Sequence, residues 1–250
     1  MKLAATLVIA GFSSLGIAQQ QPQSSPSPIP SAANPETVLR RAVEMYEAKK
    51  YTTALLAFQE AAAAGRTEAA AYLGVMYTEG QGTPVRYEEA MTWLRRAAQT
   101  GDSQAMCNIG ILYYRGLGVR QRYDLALQWF RDAAALGNGQ AMFNIGSMYH
   151  DGMGEKVDFA EAMNWFVKAS AQENEKAMNS IGAMYRNGEG VPANYVEAAR
   201  WFRKAAEAGN SAAMYNLGLL YQKGQGVPLD EEEARRWLAK SAETSPPEPQ

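Results

Sequence analysis

Asn108 to Val119 read NIGILYYRGLGV. An apolar run at helical spacing contains one glycine, Gly110, and ends at Arg115 before Gly116 and Gly118, one residue apart. Two readings compete: a G-x-G loop that cradles a phosphate, or a turn that the chain needs for its architecture. The text returns as NIGSMYHDGMG from Asn144, SIGAMYRNGEGV from Ser180 and NLGLLYQKGQGV from Asn216. A dinucleotide loop would follow a strand and carry a third glycine, and none of the copies has either. The glycines are therefore read as structural.

Working outward, glycine recurs at Gly74, Gly110, Gly146, Gly182 and Gly218, each 36 residues after the last. The tyrosines Tyr77 to Tyr221, the tryptophans Trp93 to Trp237 and the paired loop glycines keep the same interval, without insertion or deletion. A fixed period of this length marks a repeat architecture. Each copy predicts two helices. In AAAYLGVMY, from Ala69, small and apolar residues recur at helical spacing, and Gly80 follows as a stop able to take positive φ. In YEEAMTWLRRAAQTG, from Tyr87, Ala90, Trp93, Leu94 and Ala97 form one stripe that must be covered. Gly101, Gly137 and Gly209 end this second helix, with Glu173 in their place in one copy. A glycine inside a helix costs about 1 kcal/mol relative to alanine. Close approach of the second helix, small at Ala90, Ala126, Ala162, Ala198 and Ala234, is the expected reason. One helix pair cannot cover its own apolar face, so the pairs stack into a solenoid.

Upstream, TVLRRAVEMYEAKKYTTALLAFQEAAAAG, from Thr37, keeps Ala54, Ala61, Ala62 and Gly65 in register but lacks the G-x-G loop. It reads as a tetratricopeptide-like cap. The expected fold is all-α, an α-solenoid of about six helix-turn-helix repeats, spanning 36–243.

The ends read differently. An uncharged apolar run follows Met1-Lys2, and Gly16-Ile17-Ala18 supplies small residues where a signal peptidase inspects, which predicts a signal peptide over 1–18 cleaved after Ala18. An uncleaved anchor is the competing reading. The Gln/Pro/Ser-rich 19–35 and the tail 244–250 are too poor in apolar residues to offset ordering and are expected to be disordered. Once the signal is removed, no membrane span is expected. With 24 basic and 26 acidic side chains, a net charge of −2 excludes an electrostatic footprint for nucleic acid.

The string LGxxYxxGxGVxxxYxxAxxWxxxAAxxG, as in the copies beginning at Leu73 and Leu217, resembles the Sel-1-like repeat, a relative of the tetratricopeptide repeat. The resemblance covers Glu68 to Glu243 in five copies. It implies a right-handed α-solenoid that binds proteins or peptides as an adaptor, and relatives with signal peptides are commonly periplasmic or exported. A cysteine-rich branch of the family is associated with β-lactam binding or hydrolysis. Those proteins carry a cysteine pair in each repeat, whereas this chain has Cys107 alone, with no S-x-x-K and no K-T-G.

Other chemical candidates are thin. His150 stands near Asp151 and Glu155, too little for a closed metal site, so no metal and no cofactor is expected. Cys107 reads as a small apolar side chain. Positions that differ between copies are more informative, because they are free of the common packing. By analogy with the tetratricopeptide fold, three rows of the first helices line a concave face: Ala71, Cys107, Phe143, Asn179, Tyr215; Thr78, Tyr114, His150, Arg186, Gln222; and Tyr72, Asn108, Asn144, Ser180, Asn216. Rings supply apolar anchors and amides bond a peptide backbone, which selects Tyr114, Phe143, Tyr215, Asn108, Asn144 and Asn216, with His150 beside them. Arg115, Lys176 and Arg186 would pair with a ligand carboxylate.

The sequence thus predicts a non-enzymatic scaffold of the cell envelope, periplasmic or secreted and monomeric, that binds a protein or peptide along this face. The alternative is an envelope hydrolase or binding protein acting on β-lactam or peptidoglycan.

Overall fold

The computed structural model describes residues 34–244; the signal peptide, most of the linker and nearly all of the tail lie outside them. Twelve helices follow one another within this range: α1 (Pro35–Glu47), α2 (Tyr51–Ala63), α3 (Ala69–Glu79), α4 (Tyr87–Ala98), α5 (Ser103–Arg115), α6 (Tyr123–Ala135), α7 (Gly139–Asp151), α8 (Phe159–Ser170), α9 (Glu175–Asn187), α10 (Tyr195–Glu207), α11 (Ser211–Lys223) and α12 (Glu231–Thr244). They form an all-α solenoid of helix-turn-helix repeats, with no strand among the described residues. Two compact units divide it, one holding α1–α5 up to Arg122 and the other α6–α12 from Tyr123.

The first helices α5, α7, α9 and α11 start on a side-chain cap, whereas α3 begins after Glu68 without one. Asp102, Asn138, Asn174 and Asn210 accept the N–H of Ala105, Ala141, Ala177 and Ala213 at 2.8–2.9 Å. Each such cap contributes about 1 kcal/mol by satisfying an otherwise orphaned donor. The helix ends on the first loop glycine in the left-handed region, as at Gly188 with φ 75°.

The second loop glycine has a role that the sequence reading did not separate from the turn. A Cβ on Gly226 would fall 2.1 Å from the carbonyl oxygen of Tyr195, and one on Gly190 2.7 Å from Phe159 Cβ. The same overlap occurs at Gly82 with Tyr51, Gly118 with Tyr87 and Gly154 with Tyr123. Each loop therefore rests on the first turn of the preceding repeat's second helix, and its glycine removes the side chain that would hold the two apart.

The glycine inside the first helix also makes room, but the alanine expectation needs correction. A Cβ on Gly182 would lie 2.7 Å from the Phe202 ring, and one on Gly74 2.5 Å from Leu94. Phe166 and Leu238 fill the same place at Gly146 and Gly218. Ala162 and Ala234 contribute only their carbonyl oxygens, at 3.2 Å. The large side chain four residues after the alanine needs the space. Phe58, Phe130, Phe166, Phe202 and Leu94, one from each second helix except α12, are accordingly among the largest fully buried side chains.

Successive repeats are also stitched by a polar contact. Arg95, Arg131 and Arg203 each donate to the tyrosine hydroxyl 18 residues later, Tyr113, Tyr149 and Tyr221, and Gln59 does the same to Tyr77. Val167 takes this position in the fourth pair and offers no donor to Tyr185.

Glu173, where three other copies have glycine, still takes φ 57°. A left-handed non-glycine residue costs roughly 1–2 kcal/mol, partly offset in a glycine variant by the larger entropy of its unfolded chain. Glu173→Gly is expected to raise stability by about 0.5–1 kcal/mol, read as a higher urea midpoint at unchanged slope.

Candidate functional site

The residues singled out from the sequence fall in both units. Asn108, Tyr114 and Arg115 lie on α5; Phe143, Asn144, His150, Lys176, Arg186, Tyr215 and Asn216 lie on α7, α9 and α11. Three of them are buried. Phe143 is 8% exposed, its ring centroid 5.7 Å from that of Phe166, within a buried cluster that includes Ile181 and Met184. It is a core ring, not an exposed anchor, because Phe166 offers it an aromatic neighbour below the helix. Asn108 and Asn144 are buried too, each accepting from a glutamine one turn earlier, Gln104 at 3.1 Å and Gln140 at 3.0 Å.

Asn216 differs, for a reason visible in the chain. Its preceding turn carries Ala212 instead of glutamine, so no intrahelical partner holds the amide. It reaches to α9 instead, accepting from Arg186 Nη1 at 3.0 Å and donating to Asn179 Oδ1 at 3.1 Å. Arg186 donates from Nε to Asn187 Oδ1 at 3.1 Å, and Asn187 donates to Glu189 Oε1 at 3.0 Å. The other oxygen of Glu189 meets His150 Nε2 at 3.0 Å, while His150 Nδ1 bonds Asp151 at 2.7 Å. One polar chain thus crosses the first helices of three repeats: Asp151, His150, Glu189, Asn187, Arg186, Asn216, Asn179.

Local packing explains why these groups meet. The loop Gly188-Glu189-Gly190 sits on the start of α8, since Gly190 abuts Phe159. Phe159 also takes the His150 ring edge-on, at 5.3 Å between centroids. Loop and imidazole therefore share one aromatic seat, which brings Glu189 within bonding distance of a residue 39 positions earlier. Arg186 in turn lies over the Phe202 ring, its guanidinium carbon 5.7 Å from the centroid. The signal for Glu189 was present in the sequence: among the five G-x-G loops only this one holds an acid, and only the preceding repeat offers histidine.

Charge follows geometry. The Asp151 hydrogen bond foremost, then that to Glu189 and the charge of both carboxylates, outweigh partial burial and raise His150 to about 9. Imidazolium is therefore the form present at neutral pH, with both ring nitrogens donating. A histidine pKa raised from 6.5 stabilises the fold fully below 6.5 and loses that contribution as pH rises through 9. With the side chain 31% exposed, solvent screening holds this to about 1 kcal/mol. Wild type is expected to lose that much relative to His150→Gln between pH 6.5 and 9.5, measured by urea unfolding across the range.

Arg186 has donors to spare. A guanidinium carries five N–H groups, and its bonds to Asn187 and Asn216 use two. Beside Asn216 on α11, the Tyr215 ring is 49% exposed. An arginine with open donors can take a carbonyl or carboxylate, and an exposed phenol can take an apolar group. Lys176, in the first turn of α9, stands ten residues before Arg186, about 15 Å along the helix, and takes no part in the chain of bonds. Tyr114 is half-buried and its carbonyl accepts from Gln121 at 2.7 Å, while Arg115 is exposed at the end of α5.

The comparisons agree with this architecture. The Sel1 repeat model matches residues 67–102, 103–138, 139–174, 175–210 and 211–243. A Sel1 repeat protein from Oxalobacter formigenes is 32% identical, with a TM-score of 0.78, over 85% of this chain and 89% of that one. A protective antigen present in uropathogenic Escherichia coli strains is 33% identical, with a TM-score of 0.75, over 85% of this chain; the match spans 46% of the antigen's length. An immunity protein from Pseudomonas aeruginosa, 18% identical with a TM-score of 0.57 over 86% of this chain and 84% of its own, shares the fold. No curated protein matches the chain significantly.

Proposed function

This chain belongs to the Sel1 repeat family, whose members are in general protein-interaction scaffolds, and we propose that it is a non-enzymatic adaptor acting outside the cytoplasm. It holds a partner protein on the first-helix face of its second unit. The observation that carries this reading is the polar chain from His150 to Asn216, which ties Arg186, with donors unused, to Asn216, the chain neighbour of the exposed Tyr215. Arginine and tyrosine are the residue types that most often dominate binding energy at interfaces. The partner segment is one with a carboxylate or paired carbonyls for Arg186 and an apolar side chain for Tyr215.

Support for export is the composition of 1–18, an apolar run ending in small residues. No helix among the described residues is long and apolar enough to cross a membrane. The hydrolase alternative draws no support from the comparisons.

Affinity purification from an envelope extract tests the site. The wild type is expected to retain a defined partner that an Arg186→Ala/Tyr215→Ala variant loses by roughly 100-fold in affinity, as two hot-spot truncations imply. Equal retention by a variant whose helical circular dichroism and melting match the wild type would remove the site.

A further inference from the structure

The first unit contains a crevice lined by Ala71, Tyr72 and Asn108 of the rows that vary between copies. It measures about 390 Å³ and opens between the N-terminal halves of α3 and α5, over the end of α4. That is the size of a site for one side chain with its adjoining backbone.

Its origin is legible in the repeat. In the second unit, the row position on the first helix and the large position on the second are Phe143 and Phe166, whose rings pack together and fill the space. The equivalent positions here are Ala71 and Leu94, and both line the crevice. The volume is the room left by two missing rings. Tyr72 and Val75 complete the apolar wall, and Tyr72 is held in place by stacking on Phe58, at 4.5 Å and 12°.

Polar groups stand at its floor and rim. Asn108 lines it, is 1% exposed, and has an Nδ2 with no hydrogen-bond partner among the described residues. A buried amide N–H without an acceptor costs free energy that an incoming carbonyl recovers. At the rim are Glu68 and Asp102, whereas the corresponding positions elsewhere are Gln104, Gln140, Lys176 and Ala212, and Asn138, Asn174 and Asn210. Arg66 pairs with Glu68 at 2.8 Å, and Asp102 has no cationic partner among the described residues. Acids stand at both of these two positions only in this repeat.

We propose that this crevice is a second binding site, taking a peptide segment in which a branched aliphatic residue stands next to a basic one. The aliphatic side chain occupies the space between Ala71 and Leu94, its backbone carbonyl accepts from Asn108 once the amide turns outward, and the basic neighbour meets Asp102. The site is independent of the His150–Asn216 chain of the second unit.

The test uses the full chain labelled with nitrogen-15 and two probes, acetyl-Ala-Leu-Lys-Ala-amide and acetyl-Ala-Leu-Glu-Ala-amide. The lysine peptide is expected to shift the Asn108 side-chain amide and the Ala71 and Asp102 backbone signals. The glutamate peptide should bind at least ~10-fold more weakly, as a like charge at the rim requires. An Ala71→Phe/Leu94→Phe variant rebuilds a ring pair that this chain already carries at Phe143 and Phe166, and it should melt like the wild type yet give no shift. Arg186→Ala/Tyr215→Ala should respond as the wild type does, which separates this site from the proposed partner face. Absence of shifts at Asn108, equal affinity for both probes, or an unchanged response in the filled variant would each overturn the proposal and leave the crevice to solvent.

Discussion

Gly226→Ala is expected to destabilise the protein by about 3 kcal/mol or more, the largest effect of any single methyl added to it. Two costs combine. The residue has φ 71°, where an added Cβ costs roughly 1–2 kcal/mol. That Cβ would also meet backbone, with Tyr195 O at 2.1 Å, Tyr195 C at 2.2 Å and Val196 N at 2.6 Å, none of which is the movable end of a side chain. The loop must lift off α10, and one repeat loses its seat on the one before. Gly209→Ala is the control, since its φ of 93° is equally strained but nothing lies within 4 Å of the new methyl. A loss of about 1 kcal/mol there, against 3 or more at Gly226, would show that stacking and not turn geometry demands the second loop glycine. Equal losses in urea unfolding would contradict it.

The second large effect falls on Phe202. The ring is fully buried, packs into the space left by Gly182 and lies under Arg186. Phe202→Ala should cost about 3–5 kcal/mol, through lost transfer energy and the cavity left behind. Phe202→Leu should cost less than about 1.5 kcal/mol, because Leu94 and Leu238 fill the same position beside Gly74 and Gly218. The pair also reads the site. If the ring positions Arg186, the leucine variant stays folded yet binds the partner more weakly, and unchanged binding would confine Phe202 to packing.

Much of this fold was readable from the chain because each copy states the same packing solution. The period, the two helices and the stop at the first loop glycine needed only comparison of one copy with the next. What comparison does not give is the atom on the far side of a contact. Gly182 was legible as a close approach, but the partner is the Phe202 ring rather than Ala198, since spacing alone does not rank a large neighbour above a small one. The second loop glycine looked like part of a turn because its contact, Tyr195, lies in another repeat.

The candidate site shows the same boundary between local and non-local information. Variation between copies pointed correctly to positions that differ, yet Phe143 differs because it fills a core space. Asn108 and Asn144 share a row with Asn216, and their side-chain oxygens are engaged by Gln104 and Gln140. Pairing each asparagine with the residue four before it would have separated Asn216 from the others, because Ala212 cannot hold it. The roles of Glu189 and Asn187 are not legible within one copy, since the carboxylate belongs to a loop and meets His150 only when two repeats stack.

The first-helix face around Arg186 and Tyr215 is proposed to receive a partner protein. A photo-crosslinking phenylalanine derivative placed at position 215 in the living cell tests it most directly, with position 200, exposed on α10, as the control. One discrete crosslinked species is expected from 215, lost on adding Arg186→Ala and absent from 200. No species at 215, the same species from both positions, or one indifferent to Arg186→Ala would contradict it.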